Sequence, residues 1–543
     1  MTPYPDLRLM SANEFLPRTL AWVLASSVVI VIGYTSVAAS ASQQASAPDA
    51  TVQEIATRLQ RDDLAGAKAV ADAALGQYPD DPALHNLAGV VAAQGGDVAA
   101  AETHFQSAIR LSPRQSAPYE NLGRLYQERA AIDASARSKA LDIYRRLLDV
   151  EPANQEGLYQ AGFLLALQGR FAESQSLLQR LPEAMRARSQ ILAVLTIDLA
   201  GTGRIDAAKA SAARVASDPD LVAADVVALG PAFEHITNDD PVRQLLEALD
   251  ARRLATAESL LQLGQLHIRH RRYDDARGVL ERALAGAPDS VPILIDLARV
   301  VDKSGAHEKA LGYLGHARVL APDNVTVHFL FGIVCVELEL AAEAYESMKK
   351  AVALAPNHPG VNYMMGVVSL HRHDPSEAVP YFERYMQLQP DDARGRLALG
   401  VAKFQSKDFD GAATILTQAA DRPETAAGAN YFLARIARQA NNLPEARRRI
   451  DLSISADGKS ADAWAELGLL QTRAQEFEAA EQSLQKALLL QPENYQATVN
   501  LTALYTRTRD PRLAEQNAHL QALQQKREQR GQDFLRIVQV VPE

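Results

Sequence analysis

The sequence repeats every 34 residues, most clearly over residues 291–422. Residues 325–358 read VTVHFLFGIVCVELELAAEAYESMKKAVALAPNH, and residues 359–392 read PGVNYMMGVVSLHRHDPSEAVPYFERYMQLQPDD. A small residue recurs at position 8 of each window and alanine recurs twelve residues later: Ala298, Gly332, Gly366 and Gly400, then Ala310, Ala344, Ala378 and Ala412. A fixed period of this length predicts a solenoid of stacked repeats.

The same frame extends over fourteen windows from Pro48 to Glu528, with one five-residue insertion near residues 131–138. Apolar or small residues stand at positions 4, 7, 8 and 11, which places them on one side of a first helix. A turn marked by glycine or a polar residue follows. The second helix carries a small residue at position 20, alanine in twelve windows from Ala67 to Ala514, and a larger residue at position 24. Proline closes many windows because it cannot continue a helix.

Two segments carry a recognisable signature. The runs Tyr119-x-x-Leu122-Gly123-x-x-Tyr126 and Trp464-x-x-Leu467-Gly468 resemble that of the tetratricopeptide repeat family. The resemblance implies an all-α, right-handed superhelical solenoid of about fourteen antiparallel helix pairs. It also implies a non-catalytic scaffold or adaptor that binds partner peptides in its concave groove.

One window departs from the pattern and suggests a domain organisation. Residues 223–256 lack the closing proline, carry Val242 at the small site and contain the break Asp239-Asp240-Pro241. We expect a degenerate repeat here, joining an amino-terminal array (48–222) to a carboxy-terminal array (257–528). A long polar last helix, roughly 511–532, is expected to cap the second array. The apolar tail at 529–543 is expected to dock on that cap or in a groove.

The first 47 residues are expected to direct export. Residues 20–39 form an uncharged apolar run, preceded by Arg8 and Arg18 and followed by Ala39-Ser40-Ala41. The run is long for a signal peptide and just long enough to span a bilayer, so a cleaved signal and an uncleaved anchor both remain open. In either case the repeats would lie outside the cytoplasm, periplasmic, secreted or anchored to the inner membrane. Membrane contact would be confined to residues 20–39 if they are retained.

Composition and local motifs exclude several functions. The net charge of −10 argues against nucleic-acid binding. The single cysteine, Cys335, is interpreted as a buried small side chain. The pair His267 and His270 and the pair His371 and His373 offer too few ligands for a metal. The run 457–460 (DGKS) lacks the glycine and the preceding strand of a phosphate-binding loop. We therefore expect no catalytic residue, no cofactor and no metal.

The first helices supply the candidate binding surface. In the family, positions 2, 5, 9 and 12 of these helices point into the groove, and here they form an apolar stripe with Arg299, Arg394, Arg435 and Arg438 along it. The predicted partner-binding residues are Ile295, Phe329, Ile333, Val336, Tyr363, Val367, Leu370, Leu397, Val401, Phe404, Tyr431 and Arg435. The expected ligand is a protein or peptide with apolar anchors, with or without acidic residues. If Phe329 and Phe404 face the groove, replacing both with Glu should abolish binding at unchanged stability.

Two rival functions remain at this stage. The chain could be a structural subunit of an envelope assembly, such as a polysaccharide export or secretion complex. It could also be an enzyme with an unrecognised site, which would require a pocket with converging titratable groups.

Overall fold

A computed structural model describes residues 49–130, 132–133 and 135–538, with side chains as far as residue 526. Every regular element among them is a helix, so the predicted all-α fold of consecutive helix pairs is confirmed. The residues divide into two compact units, unit 1 up to Gly305 and unit 2 from Ala306. The predicted export segment at 20–39 lies outside the described residues. None of the described helices is long and apolar enough to cross a membrane.

Unit 1 begins with regular helix pairs and contains one broken repeat. Its helices are α1 (Asp49–Gln60), α2 (Leu64–Gln77), α3 (Pro82–Gln94), α4 (Val98–Leu111), α5 (Ala117–Arg129), α6 (Ala136–Val150), α7 (Gln155–Leu167), α8 (Phe171–Leu178), α9 (Glu183–Arg186), α10 (Ser189–Gly201), α11 (Ile205–Ser217), α12 (Ala223–Val227), α13 (Gly230–Phe233), α14 (Asp240–Ala251), α15 (Ala257–Arg269), α16 (Tyr273–Gly286) and α17 (Val291–Lys303). The window 223–256 is the one whose first helix is divided, into α12 and α13. The predicted division into two arrays at this window stays a prediction, because the boundary between the compact units falls at Gly305.

Unit 2 is a regular succession of helices that each have at least 12 residues. They are α18 (His307–Leu320), α19 (Val325–Glu337), α20 (Ala341–Leu354), α21 (Pro359–His371), α22 (Pro375–Leu388), α23 (Ala393–Gln405), α24 (Phe409–Ala420), α25 (Pro423–Gln439), α26 (Leu443–Ala456), α27 (Ala461–Arg473), α28 (Phe477–Leu490), α29 (Tyr495–Thr508) and α30 (Leu513–Val538). Helix α30 is the long polar helix expected at the end of the array. The predicted docking of the tail at 529–543 lies beyond the described side chains.

The core between paired helices follows the predicted spacing. The position-20 alanines from Ala67 to Ala480 are fully buried. The position-8 glycines leave room for the position-24 side chains. A Cβ atom at Gly123 would lie 2.5 Å from the ring of Tyr144, and one at Gly366 would lie 2.7 Å from the ring of Phe382. The prediction that Ala514 packs in the core was wrong. Ala514 is exposed, and its neighbour Leu513 packs against the core instead.

The turn between paired helices is equally regular. Glycine at position 15 takes a left-handed conformation in four repeats, with φ of +80° at Gly96 and +79° at Gly305. Polar residues adopt the same conformation at this position elsewhere, with φ of +60° at His373 and +59° at Asn441. A left-handed residue ends the first helix and reverses the chain, and this conformation favours glycine and tolerates asparagine.

In six of the described repeats, a hydrogen bond that the sequence pattern did not predict ties the preceding loop to the first helix. The side chain at position 4 of a first helix donates to a carbonyl six residues earlier. His328 Nε2 lies 2.8 Å from the Pro322 oxygen, and Trp464 Nε1 lies 2.9 Å from the Gly458 oxygen. Equivalent bonds join His85 to Pro79, Tyr119 to Pro113, Asn362 to Pro356 and Arg396 to Pro390. Position 4 therefore fixes the loop between repeats as well as filling the core.

Candidate functional site

The twelve predicted partner-binding residues lie on successive first helices. Ile295 is on α17 in unit 1, and the other eleven are on α19, α21, α23 and α25 in unit 2. Side-chain N-caps begin three of these helices: Asn324 accepts from the amide of Val327 on α19, His358 from that of Val361 on α21, and Asp392 from that of Arg394 on α23. Such caps satisfy amide groups that the first turn of a helix leaves unpaired.

All twelve side chains were predicted to face the groove, and for four of them this prediction is wrong. Ile295, Phe329, Ile333 and Phe404 are buried, and Phe329 is only 2% exposed. For Phe329 and Phe404 the reason is packing against residues that begin, or immediately precede, the following repeat. The ring of Phe329 lies against Gly360 and the ring of His358, and the ring of Phe404 lies 5.3 Å from that of Phe432. Replacing Phe329 and Phe404 with Glu would place charges in the core, so unchanged stability is no longer expected for that pair.

The remaining eight positions are partly exposed, and we refer to them as the unit 2 stripe. The stripe consists of Val336, Tyr363, Val367, Leu370, Leu397, Val401, Tyr431 and Arg435. Tyr363 illustrates how it is supported: its ring meets those of Phe382 and Tyr385 edge-on, with centroids 5.6 and 5.1 Å away. Burial raises the pKa of Tyr363, so its hydroxyl is a neutral hydrogen-bonding group at physiological pH. The binding role of these residues stays a prediction.

Arg435 has a distinctive environment. Its guanidinium carbon lies 4.8 Å from the ring centroid of Phe404, 5.5 Å from Tyr431 and 5.6 Å from Phe432. Burial raises the pKa of Tyr431, and the nearby Arg435 cation opposes that rise. Sequence reasoning missed Phe432, although an aromatic residue three positions before an arginine on one helix is a detectable signal.

The other arginines along the stripe have acidic neighbours. Arg438 forms an ion pair with the buried carboxylate of Glu466, on α27. Arg394 Nε lies 3.6 Å from Asp392, with more than half of its side chain exposed. In unit 1, Arg299 lies 3.6 Å from Asp296.

First helices of unit 1 carry amides at positions 5, 6 and 12 that bond across neighbouring repeats, and we refer to them as the unit 1 amide cluster. The cluster consists of Asn86, Asn121, Gln127 and Gln160. Asn121 donates to Asn86 over 3.0 Å, and Gln127 donates to Gln160 over 2.8 Å. Gln127 also accepts from the hydroxyl of Tyr144. Much of the polar capacity of this surface is therefore used inside the repeats.

Other residues singled out by sequence have structural surroundings. Cys335 is fully buried, as predicted, and burial raises the pKa of its thiol to about 12. His267 is also buried, and burial lowers its pKa. His371 ends α21 and is exposed, as is His373 in the following turn. The run 457–460 forms the turn between α26 and α27, where Ser460 caps α27.

Comparison with known sequences now adds to this geometry. Profiles described as tetratricopeptide repeat match residues 57–116, 257–300, 369–422, 403–470 and 461–494, covering parts of both units. The matched repeats are tetratricopeptide repeats. Tetratricopeptide repeat proteins bind protein partners and typically act as non-catalytic scaffolds, which is the general function that the fold of this chain supports. No curated protein matches the sequence.

Several solved structures are similar to this tetratricopeptide repeat chain. The APC/C hetero-tetramer Cut9-Hcn1 aligns with 15% identity over 90% of this chain and 96% of the other, at a TM-score of 0.42. A tetratricopeptide repeat protein from Parabacteroides merdae aligns with 16% identity over 46% and 98%, at 0.40. Yeast Tom70 aligns with 16% identity over 85% and 99%, at 0.35.

Proposed function

We propose that this chain is a non-catalytic interaction scaffold that holds a peptide segment of a partner protein on the unit 2 stripe. The observation that carries the proposal is the partial exposure of apolar side chains at equivalent positions of α21, α23 and α25. A repeat surface exposed only to water would favour polar residues at these positions. A contiguous apolar patch with charged residues at its edge is typical of an interaction site.

The size of the stripe suits a short peptide with two or three anchors. Leu370, Leu397 and Val401 each leave part of an apolar side chain accessible. Fully burying one apolar anchor of the peptide would contribute about 1.5–3 kcal/mol. Part of that gain is lost to ordering the peptide, so several anchors are needed. An extended or helical segment with repeated large apolar residues meets this requirement.

The supporting core favours a preformed surface. Tyr363, Val367 and Leu370 pack against the buried cluster of Ala378, Phe382 and Leu399. Close packing around such side chains restricts their rotamers, which reduces the entropy lost on binding. The proposal therefore predicts that the stripe binds without a large rearrangement of α21 and α23.

A double variant tests the proposal. Val367→Glu with Val401→Glu places charges at position 9 of two neighbouring first helices, and we expect at least a tenfold loss of affinity for selected peptides. Peptides would be selected from a displayed random library on the full chain, and affinity would be measured by fluorescence anisotropy. The matched control is Val319→Glu with Leu489→Glu, because these side chains on second helices are 79% and 75% exposed. Binding that survives in the first variant and is lost in the control would overturn the proposal.

We also propose that the protein is exported or anchored with its repeats outside the cytoplasm. The support comes from the sequence of residues 20–39 and the arginines before them. Amino-terminal sequencing of the mature protein distinguishes a cleaved signal from a retained anchor. Recovery of an intact amino terminus in the cytosolic fraction would contradict both.

A further inference from the structure

The environment of Arg435 points to a specific feature of the partner. Three aromatic rings surround its guanidinium, at 4.8, 5.5 and 5.6 Å. Aromatic faces attract a cation, but they satisfy few of the five N–H donors of a guanidinium. Among the described residues, no carboxylate lies within ion-pair distance of Arg435. Its charge and much of its donor capacity therefore remain available to a ligand.

The other stacked arginines of unit 2 each contact a single ring, and two of them also have acidic partners. Arg318 lies 4.0 Å from the ring centroid of Phe331, and Arg507 lies 5.5 Å from that of Phe477. Arg372 lies 3.7 Å from the ring centroid of Tyr345 and also pairs with Glu377 at 3.7 Å. Arg512 stacks on Tyr505 and also pairs with Glu481 and Asp510. Both arginines combine one ring with acidic partners from the same chain. Arg435 has three rings and, among the described residues, no acidic partner.

The rings around Arg435 support one another, so the site is preorganised. The centroid of Phe432 lies 5.3 Å from that of Phe404 and 5.1 Å from that of Tyr431. Phe404 also contacts Phe409, at 5.7 Å, and is only 6% exposed. Because the ring contacts restrict the guanidinium before a ligand arrives, less side-chain entropy is lost when it binds.

Arg435 is the arginine of this surface whose charge is not balanced by an ion pair among the described residues. Positions 2, 5, 9 and 12 of α19, α21, α23 and α25 contain three arginines and no acidic residue, in a chain whose net charge is −10. The nearest acidic residues on the next first helix are engaged elsewhere. Glu466 pairs with Arg438, and Asp462 accepts a hydrogen bond from Asn494. The charge complementary to the guanidinium of Arg435 is therefore negative.

We propose that Arg435 is the carboxylate-binding residue of the unit 2 stripe, and that the partner peptide carries an Asp or Glu side chain next to its apolar anchors. This inference rests on the proposed function. The planar guanidinium donates two parallel hydrogen bonds to the peptide carboxylate. The neighbouring apolar anchor packs on Leu397 and Val401, on the adjacent first helix. Arg394, at the start of that helix, adds positive charge at the edge.

The test uses defined peptides in matched sets. Every peptide has ten residues, blocked termini and two Leu or Phe anchors. The three peptides of a set differ at one position only, which carries Glu, Gln or Lys, and this position changes from set to set. Fluorescence anisotropy with the full chain measures the affinities. In the set whose varied position reaches Arg435, the Glu peptide should bind at least about tenfold more tightly than the Gln peptide, and the Lys peptide should bind most weakly. In Arg435→Met the Glu-to-Gln ratio should fall to about one, while the apolar dependence remains. Arg435→Lys should keep part of the ratio, because it keeps the charge and loses the planar fork.

The control and the outcomes separate this inference from the proposed function. Arg448→Met removes a half-exposed arginine on second helix α26 that is paired with Glu445, and it should leave the ratio unchanged. Binding that depends on the apolar anchors and on Val367 and Val401, with equal affinity for Glu and Gln, would overturn the inference alone. Failure of every peptide set to bind would overturn both. A melting temperature of Arg435→Met within a few degrees of the parent would show that the lost ratio is not unfolding.

Discussion

Units 1 and 2 use the same helical frame and differ in what they place on their first helices. In unit 1, Asn121 bonds to Asn86 and Gln127 bonds to Gln160, so amides from neighbouring repeats satisfy one another. In unit 2, partly exposed apolar or aromatic side chains recur at positions 5, 9 and 12 of successive first helices, with Arg435 among them, whereas unit 1 has the single aromatic pair Tyr159 and Phe163 at such positions of α7. The difference shows that the repeat core fixes the fold, whereas the first-helix positions decide which unit can offer an apolar surface to a partner.

The units also differ in how they treat carboxyl groups. The described carboxyl groups whose pKa is raised by burial all lie in unit 1: Glu120, Glu128, Asp198, Asp225, Glu258 and Asp296. In unit 2, hydrogen bonds to cationic side chains lower the pKa of Asp323, Glu445 and Asp510. Raised carboxyl pKa values are therefore confined to unit 1 among the described residues, whereas lowered values occur in both units, as at Asp63, Glu173 and Asp240 of unit 1.

The largest expected loss of stability follows from a substitution at position 12 of a first helix in unit 2. Phe404→Glu should destabilise unit 2 by at least about 4 kcal/mol, because it places a charge in a packed aromatic cluster. Gln127→Glu, at the same position in unit 1, should cost only about 1 kcal/mol, because the site is partly exposed and already polar. Urea unfolding followed by hydrogen exchange in each unit measures both. Equal losses in the two variants would contradict the assignment of Phe404 to the core.

The next effect is a pH dependence confined to unit 1. Asp198 is fully buried between α8 and α10, where Ser174 donates to it over 2.7 Å, and burial raises its pKa to about 8. Its folded-state pKa exceeds the unfolded value near 4, so the stability of unit 1 should fall as pH rises from about 4 to about 8. The loss attributable to this group is up to about 4 kcal/mol between pH 5 and pH 9.

Asp198→Asn should remove that slope, because the amide keeps a hydrogen-bonding partner for Ser174 and does not titrate. The control is Asp323→Asn, which replaces an exposed carboxylate of unit 2 that is paired with Lys350. This variant should leave the fall in unit 1 stability with rising pH unchanged. Hydrogen exchange in α8 and α10 at pH 5 and pH 9 is the readout. A slope that persists in Asp198→Asn would assign the pH dependence to the other buried acids of unit 1.

The smallest expected loss of stability, from replacing a position-8 glycine with alanine, should be equal in both units. Gly123→Ala and Gly366→Ala each place a methyl group within 3 Å of a buried ring, against Tyr144 and Phe382 respectively. Overpacking should outweigh the better helix propensity of alanine, for a net loss of about 1–2 kcal/mol. Thermal melting compares the two variants. A large difference between them would mean that the units differ in their cores as well as on their first helices.

Much of the fold could be predicted from sequence because each repeat is a local unit. The 34-residue period placed the helix pairs, the buried alanines and left-handed turns such as that at Gly96. Spacing on a single helix could not show that Phe329 and Phe404 are buried, since their burial depends on Gly360 and Phe432 in the following repeat. The carbonyl bonds made by His328 and Trp464 were missed because position 4 was read as an apolar site.

The candidate site was predictable only as a set of positions. The pattern identified Tyr431 and Arg435 as neighbours on one helical face, and it also suggested acidic ligands near the arginines. It did not distinguish Arg435 from Arg438, because the carboxylate that occupies Arg438 lies 28 residues further along the chain, at Glu466. Contacts between repeats decide which arginine remains available, and such contacts require a structure.

Hydrogen exchange of the full chain with and without a selected acidic, apolar peptide tests the central claim most directly. The account predicts that the peptide slows exchange in α21, α23 and α25 of unit 2 and leaves α3, α5 and α7 of unit 1 unchanged. Protection confined to unit 1, or to second helices such as α22 and α24, would contradict it.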